Sequence, residues 1–271
     1  MGQHSKNLHG IIHTIKNHIE KLTISKRMLP SFLIIGCMKG GTTSLYNYLC
    51  QHPSIVPAQK KEIHFFDLNV SKGIDWYRQY FPPISHASNK NIITGEATPS
   101  YLFHPEAARN TARLLPHTKI IILLRNPVTR AWSHYHHAVR RGHDCLPFME
   151  AVAYEQDRVQ NGGFRWHSYL SRGLYRPQLE RWLEVFPRNQ ILILETEEFF
   201  QNPSMVTNRV FQFLDLPQYH HLDLSHHNTG TYQPLNDTDR ADLQAFFEPY
   251  NRALVQYLHR DFSWTRGVGY E

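Results

Sequence analysis

Lys39, Gly40, Gly41, Thr42, Thr43 and Ser44 come directly after an apolar stretch that begins with Phe32–Gly36, and an apolar helix-like segment follows them. Such a strand, glycine-rich turn and helix start is the layout of an anion cradle. Glycines let backbone N–H groups approach a phosphate, and the positive end of a helix favours negative charge. A Walker A loop reads G-x-x-x-x-G-K-[ST]. Gly36 and Gly41 match it, but Thr42 stands where the lysine belongs, and the lysine lies inside the loop as Lys39. The cradle suits a nucleotide phosphate, but not Mg-ATP bound in the usual way.

A second set of residues runs from Arg125 through Asn126, Pro127, Arg130 and Trp132 to Ser133. Arg125 offers a rigid fork for phosphate oxygens, and Pro127 suits the first turn of a helix. Ser133 lies about two turns further on, with His137 and Arg141 at four-residue spacing. Alone, Arg125 reads as a structural arginine at a sheet edge; beside the Lys39 loop it reads as a second phosphate site. Lys60, Lys61, Glu62, His64 and Asp67 form a third group. On pattern alone this is a solvated charge run. The sequence leaves the sign of any Glu62 pKa shift open, because the apolar neighbours Ile63, Phe65 and Phe66 and the lysines act oppositely.

Short apolar runs that read as buried parallel strands occur at Phe32–Gly36, Asn91–Gly95, Lys119–Leu124 and Gln190–Glu195. Helical patterning lies between and after them, at Thr43–Gln51, Pro105–Leu114, Pro127–Arg141, Phe148–Asn161, Arg172–Phe186, Pro203–Leu214 and Thr238–His259, the last with Pro249 inside it. Leu179, Trp182 and Phe186 read as core. The alternation predicts an α/β fold: a single domain built on an open parallel sheet with helices on both faces. Ligands of such sheets sit beyond the carboxyl ends of the strands, so Lys39, Glu96 and Arg125 are expected to converge on one crevice. The domain is expected over 29–271, with 1–28 as an N-terminal arm or helix of basic amphipathic character.

The chain has 271 residues, a formal net charge of +6 and 19 histidines, and a pI near 9.2. That balance suits anionic ligands without choosing among them. Cys37, Cys50 and Cys145 make no disulfide framework, and a reducing cytoplasm is the expectation. No spacing of histidines or cysteines marks a metal site, no apolar run is long enough to span a bilayer, and no nucleic-acid module is present. The sequons at Asn69 and Asn236 read as chance matches.

Three segments, in this order and spacing, resemble the PAPS-dependent sulfotransferases, nearest to their heparan-sulfate-type branch and bacterial relatives. They are Lys39-Gly-Gly-Thr-Thr-Ser44, Lys61-Glu-Ile-His-Phe-Phe-Asp67 and Arg125-Asn-Pro-Val-Thr-Arg-Ala-Trp-Ser133. The resemblance runs from about Leu29 to Trp264. It implies a P-loop-like nucleotide-binding sulfotransferase fold and 3′-phosphoadenosine 5′-phosphosulfate (PAPS) as donor, with 3′,5′-ADP as product and no metal. It further implies that Lys39 stabilises the leaving phosphate and that Gly40, Gly41, Thr42, Thr43 and Ser44 hold the 5′-phosphosulfate. Arg125 and Ser133 would bind the 3′-phosphate. Glu62 takes the position of the general base, with His64 as rival base or assistant. Tyr232 belongs to a segment, Asn228–Pro234, that closes over the cofactor. Asp67, Glu96, Arg172 and Tyr175 are weaker candidates on the acceptor side.

Ala97 stands where heparan-acting members carry a catalytic lysine, and the Asn228–Pro234 segment lacks their cysteines. Both departures point to a different acceptor, a small-molecule natural product or a glycan, attacked through a hydroxyl or an amine. Two other classes compete. A P-loop kinase or NTPase would need a lysine at Thr42 and Mg²⁺; a non-catalytic polyanion-binding protein would show strong salt dependence and tolerate loss of Glu62.

Overall fold

A computed structural model describes residues 24, 26–86, 92–225 and 232–266. Most of the expected N-terminal arm and most of the Asn228–Pro234 segment lie outside the described residues. Five strands, β1 (Phe32–Gly36), β2 (Ile55–Pro57), β3 (Ile93–Ala97), β4 (Lys119–Leu124) and β5 (Ile191–Glu195), form one sheet in the order β2-β3-β1-β4-β5. Every neighbouring pair is parallel. The chain leaves β1 toward one edge and later returns to its other side as β4. This reversal opens a crevice at the carboxyl ends of β1 and β4.

Helices cover both faces, as expected. β1 is central and wholly buried, so its alternating side chains feed two cores. Leu33 and Ile35 join Ile120, Ile122, Tyr101, Leu179 and Trp182 on one face. Phe32 and Ile34 join Ile121, Leu123, Leu45, Tyr48, Phe199 and Val210 on the other. The first face is covered by α2 (Gly73–Arg78), α3 (Ala107–Leu114), α7 (Tyr175–Leu183) and the long α10 (Asp237–Leu258). The second is covered by α1 (Thr42–Leu49), α8 (Thr196–Gln201) and α9 (Pro203–Phe213). A third cluster packs α4 (Pro127–Arg140) and α5 (Phe148–Ala153) against Tyr169, Leu243 and Phe247.

Four local details depart from the sequence reading. β2 was not expected; it is a three-residue edge strand, too short to show a period. β3 begins two residues later than the apolar run suggests and ends at Ala97, so Glu96 lies within the strand rather than beyond it. The helix expected over Phe148–Asn161 is broken at Tyr154 into α5 and α6 (Glu155–Gln160). The segment expected as a helix from Arg172 starts as a 3₁₀ turn, Ser171–Gly173, and becomes α-helical at Tyr175. α10 runs through Pro249 as one element.

Candidate active site

The Lys39 loop leaves β1 and turns into α1. Lys39 has φ +70 and Gly41 φ +85, both left-handed. A side chain at Gly41 would be strained at that angle. One at Gly40 would meet Leu123 O at 3.0 Å and Cys37 Sγ at 2.9 Å. Gly41 caps α1 without a side-chain acceptor. The helix therefore presents its first-turn N–H groups and its positive end to the crevice. Burial first, then Arg140 and Arg125, lowers the Lys39 pKa to about 8, with Glu62 acting the other way. A dianionic ligand here would relieve that clustering of cations.

Arg125 sits where β4 ends. Its Nη1 donates to Lys39 O at 2.9 Å and its Nε to Thr129 Oγ1 at 3.1 Å. Asn126 caps α4 by accepting from Val128 N at 3.0 Å, with Pro127 in the first turn. Ser133 lies on the same helix, on its buried side. The two loops are joined again from the start of α8, just past β5: Thr196 Oγ1 donates to Gly40 O at 2.8 Å, and Glu197 accepts from Asn126 N at 3.0 Å.

Glu62, His64 and Asp67 form a relay on the opposite wall. His64 Nε2 is 3.1 Å from Glu62 Oε2, and its Nδ1 is 2.9 Å from Asp67 Oδ2. Ser100 Oγ donates to the same Asp67 oxygen at 2.5 Å. Burial would push His64 down, but hydrogen bonds to the two carboxylates reverse this and raise it to about 9. Burial pushes Glu62 and Asp67 up; the hydrogen bonds from His64, with Lys61 or Ser100, win and hold both below their usual range. The relay at neutral pH is an imidazolium between two carboxylates. Lys61 Nζ joins it to the cradle, donating to Thr43 Oγ1 at 3.0 Å while standing 3.5 Å from Glu62 Oε1.

The other expected residues are placed differently. Glu96 is 1% exposed, and its oxygens accept from Tyr77, Tyr101 and Thr98; it does not line the crevice, because β3 extends past it. Tyr175 is buried and donates to Arg125 O at 2.6 Å, so it braces the strand end. Arg172 is 3% exposed and lies over the rings of Phe103 and Phe164. Tyr232 stacks on His136 at 4.5 Å, and Trp132 Nε1 donates to the adjacent Gln233 O, which fixes this end of the expected closing segment. Ala97 is buried in the core.

Sequence reasoning missed Ser100 and Arg165, whose Nη2 comes within 3.4 Å of His64 Nε2. It also missed Arg140, which lowers the Lys39 pKa. Arg140 was legible as part of the helix face after Ser133, and Ser100 falls in the Gly95–Tyr101 segment that resembles the family's acceptor side; Arg165 carries no local signal.

The sulfotransferase domain model matches residues 29–237. The chain belongs to the sulfotransferase domain family. This sulfotransferase domain is of the PAPS-dependent kind expected from the three motifs. It is similar to a membrane-associated sulfotransferase, kil1, of Dictyostelium discoideum, with 28% identity over 87% of this chain and 66% of the relative. It is also similar to mouse heparan sulfate glucosamine 3-O-sulfotransferase 3B1, with 33% identity over 88% of this chain and 65% of the relative. The chain thus spans just under two thirds of both proteins. A solved sulfotransferase from Alicyclobacillus acidocaldarius superposes with TM-score 0.78 at 34% identity, over 88% of this chain and all of that one. Among the described residues, no helix is long and apolar enough to cross a membrane, and no cluster of three or more His, Cys, Asp or Glu is arranged to hold a metal.

Proposed function

We propose that this protein transfers the sulfuryl group of PAPS to a hydroxyl or amine of a small-molecule or glycan acceptor, with Glu62 as general base. The observation that carries the reading is the Lys61 bridge. One ammonium touches Thr43 of the cradle helix and Glu62 of the relay, so donor phosphate and base share one crevice.

The acceptor oxygen or nitrogen attacks sulfur in line. Its bond to sulfur forms as the bond from sulfur to the 5′-phosphate oxygen breaks, and its proton passes to Glu62. Lys39 and the first-turn N–H groups of α1 take up the charge developing on the leaving phosphate, fixed in advance where it appears. Arg125 and Ser133 hold the 3′-phosphate. His64 serves Glu62 as an oriented cation; with its pKa raised to about 9 it already holds a proton at neutral pH and has no site to accept another, so the ionised Glu62, although held below its usual range, is the acceptor of the proton. Asp67 holds His64 from the far side. No metal has a part in this scheme.

The relatives' names speak of heparan sulfate, and Arg165 and Lys61 beside the relay suit an anionic acceptor. Ala97, in place of a lysine, supports an acceptor other than heparan sulfate. The reading takes the domain as one unit from Leu29 onward. Its three free cysteines support a cytoplasmic setting, which fractionation of cells expressing the chain would test.

The deciding experiment is calorimetric titration with 3′,5′-ADP beside Mg-ATP, followed by PAPS turnover over a panel of desulfated heparan sulfate and hydroxylated small molecules. Micromolar binding of 3′,5′-ADP with weak ATP binding is expected; the reverse preference brings the kinase reading back. Glu62→Gln should lower turnover at least about a hundredfold while leaving 3′,5′-ADP affinity within twofold. A variant keeping a tenth of the normal rate removes Glu62 as base.

A further inference from the structure

Glu96 is a buried carboxylate without contact to the crevice, yet its hydroxyl partners lead straight to the relay. Phe65 N donates to Tyr101 OH at 2.8 Å, and that hydroxyl donates to Glu96 Oε1 at 2.8 Å. His64 N donates to Thr98 Oγ1 at 3.5 Å, and that hydroxyl donates to Glu96 Oε2 at 2.6 Å. His64 itself has φ +56, a left-handed conformation that a non-glycine residue adopts only when its surroundings impose it. Two successive amides at the bend are thus held from below.

We propose that Glu96 is a positioning residue for the Glu62–His64–Asp67 relay, acting through the Tyr101 and Thr98 hydroxyls on the backbone of Phe65 and His64. The proposal rests on the relay's role in sulfuryl transfer. Chemistry explains why a carboxylate is needed. Each hydroxyl has one proton and uses its oxygen to accept from the loop, so its own proton must go to a group that only accepts. Burial pushes the Glu96 carboxyl up, and the hydrogen bonds from Thr98, Tyr101 and Tyr77 act against that rise; as a carboxylate it accepts from both hydroxyls at once. A glutamine would turn its NH₂ toward one of them, leaving that hydroxyl's proton without its acceptor and setting the NH₂ against the loop N–H for the hydroxyl oxygen.

Tyr77 supplies an internal control. Its hydroxyl donates to the same Glu96 Oε1 at 2.8 Å, but among the described residues no loop amide donates to it. Tyr101→Phe and Tyr77→Phe each remove one hydroxyl from the same oxygen and keep the ring. The readout is the titration of His64 in ¹⁵N-histidine NMR, its resonance assigned by loss in His64→Gln, beside calorimetry with 3′,5′-ADP.

In the wild type His64 should titrate near pH 9. In Tyr101→Phe and in Glu96→Gln it should titrate at least about one pH unit lower, a roughly tenfold loss of proton affinity. Tyr77→Phe should leave it unmoved, and all three should bind 3′,5′-ADP within twofold of wild type. Thr98→Val, which cuts only the His64 link, gives the same test if Tyr101→Phe does not fold. Equal shifts in the Tyr101 and Tyr77 variants, or no shift in either, overturn the assignment. Failure of the catalytic reading shows separately, as retained turnover in Glu62→Gln or absent 3′,5′-ADP binding, while the NMR comparison still decides the role of Glu96.

Discussion

His64→Gln removes the imidazolium shared by Glu62 and Asp67, and the cost of losing it should depend on pH in a defined window. The rise of the His64 pKa from 6.5 to about 9, at about 1.36 kcal/mol per pH unit, corresponds to roughly 3 kcal/mol of folding stability. The sign follows from linkage. A base bound more tightly to its proton in the folded state contributes fully below its unfolded pKa, and the contribution disappears as pH rises through the folded one. Wild type should therefore exceed the variant by its largest margin near pH 6, and the margin should shrink by roughly 3 kcal/mol by pH 10. Lys39 titrates in the same range with the opposite sign, its pKa lowered to about 8, but it is present in both proteins and cancels in the difference. Any strain of glutamine at φ +56 adds a constant offset. Urea unfolding of both proteins at several pH values measures the margin. A margin that stays flat within about 1 kcal/mol across this window would refute the charged relay, and with it the argument that His64 is too basic to be the general base.

Arg125→Ala should weaken 3′,5′-ADP by ~1.5–3 kcal/mol more than it weakens 5′-AMP, since a charge-assisted bond to the 3′-phosphate is lost only from the first; equal losses by calorimetry would contradict the assignment. Gly40→Ala forces a methyl toward the Leu123 carbonyl and Cys37 Sγ, at 3.0 and 2.9 Å. Overpacking of this kind costs ~1–3 kcal/mol. Thermal melting should show a lower midpoint, and 3′,5′-ADP should bind less tightly; an unchanged affinity would mean that the loop backbone does not approach the phosphate.

Much of this molecule was legible before its structure. β1 and β4 fell within their expected bounds because each is a continuous aliphatic run buried on both faces, and Trp182 reached the core as its helical spacing implied. The two loops proposed to hold phosphates could be picked out because each is a single segment, Lys39 to Ser44 and Arg125 to Ser133, and the structure brings them together through the Arg125 bond to Lys39 O. Glu96 was misplaced because three-state patterning locates strand ends poorly, and a shift of two residues moved it from crevice to core. The contacts of Ser100 with Asp67 and of Arg165 with His64 could not be read because they form only through tertiary packing. The sign of the Glu62 shift was equally hidden, since it is decided by a histidine oriented from its other side by Asp67.

The ties between the two phosphate loops have a consequence for ligand choice. Arg125 holds the Lys39 carbonyl, while Thr196 and Glu197 fasten Gly40 and Asn126 to the start of α8, just past β5. The two loops, proposed to hold the 5′- and 3′-phosphates, are therefore tied to one another like the jaws of a set calliper. A nucleotide is measured by the span from its 5′- to its 3′-phosphate. An isomer that carries its second phosphate on the 2′ oxygen presents the same charge at the wrong span and should be refused on length alone.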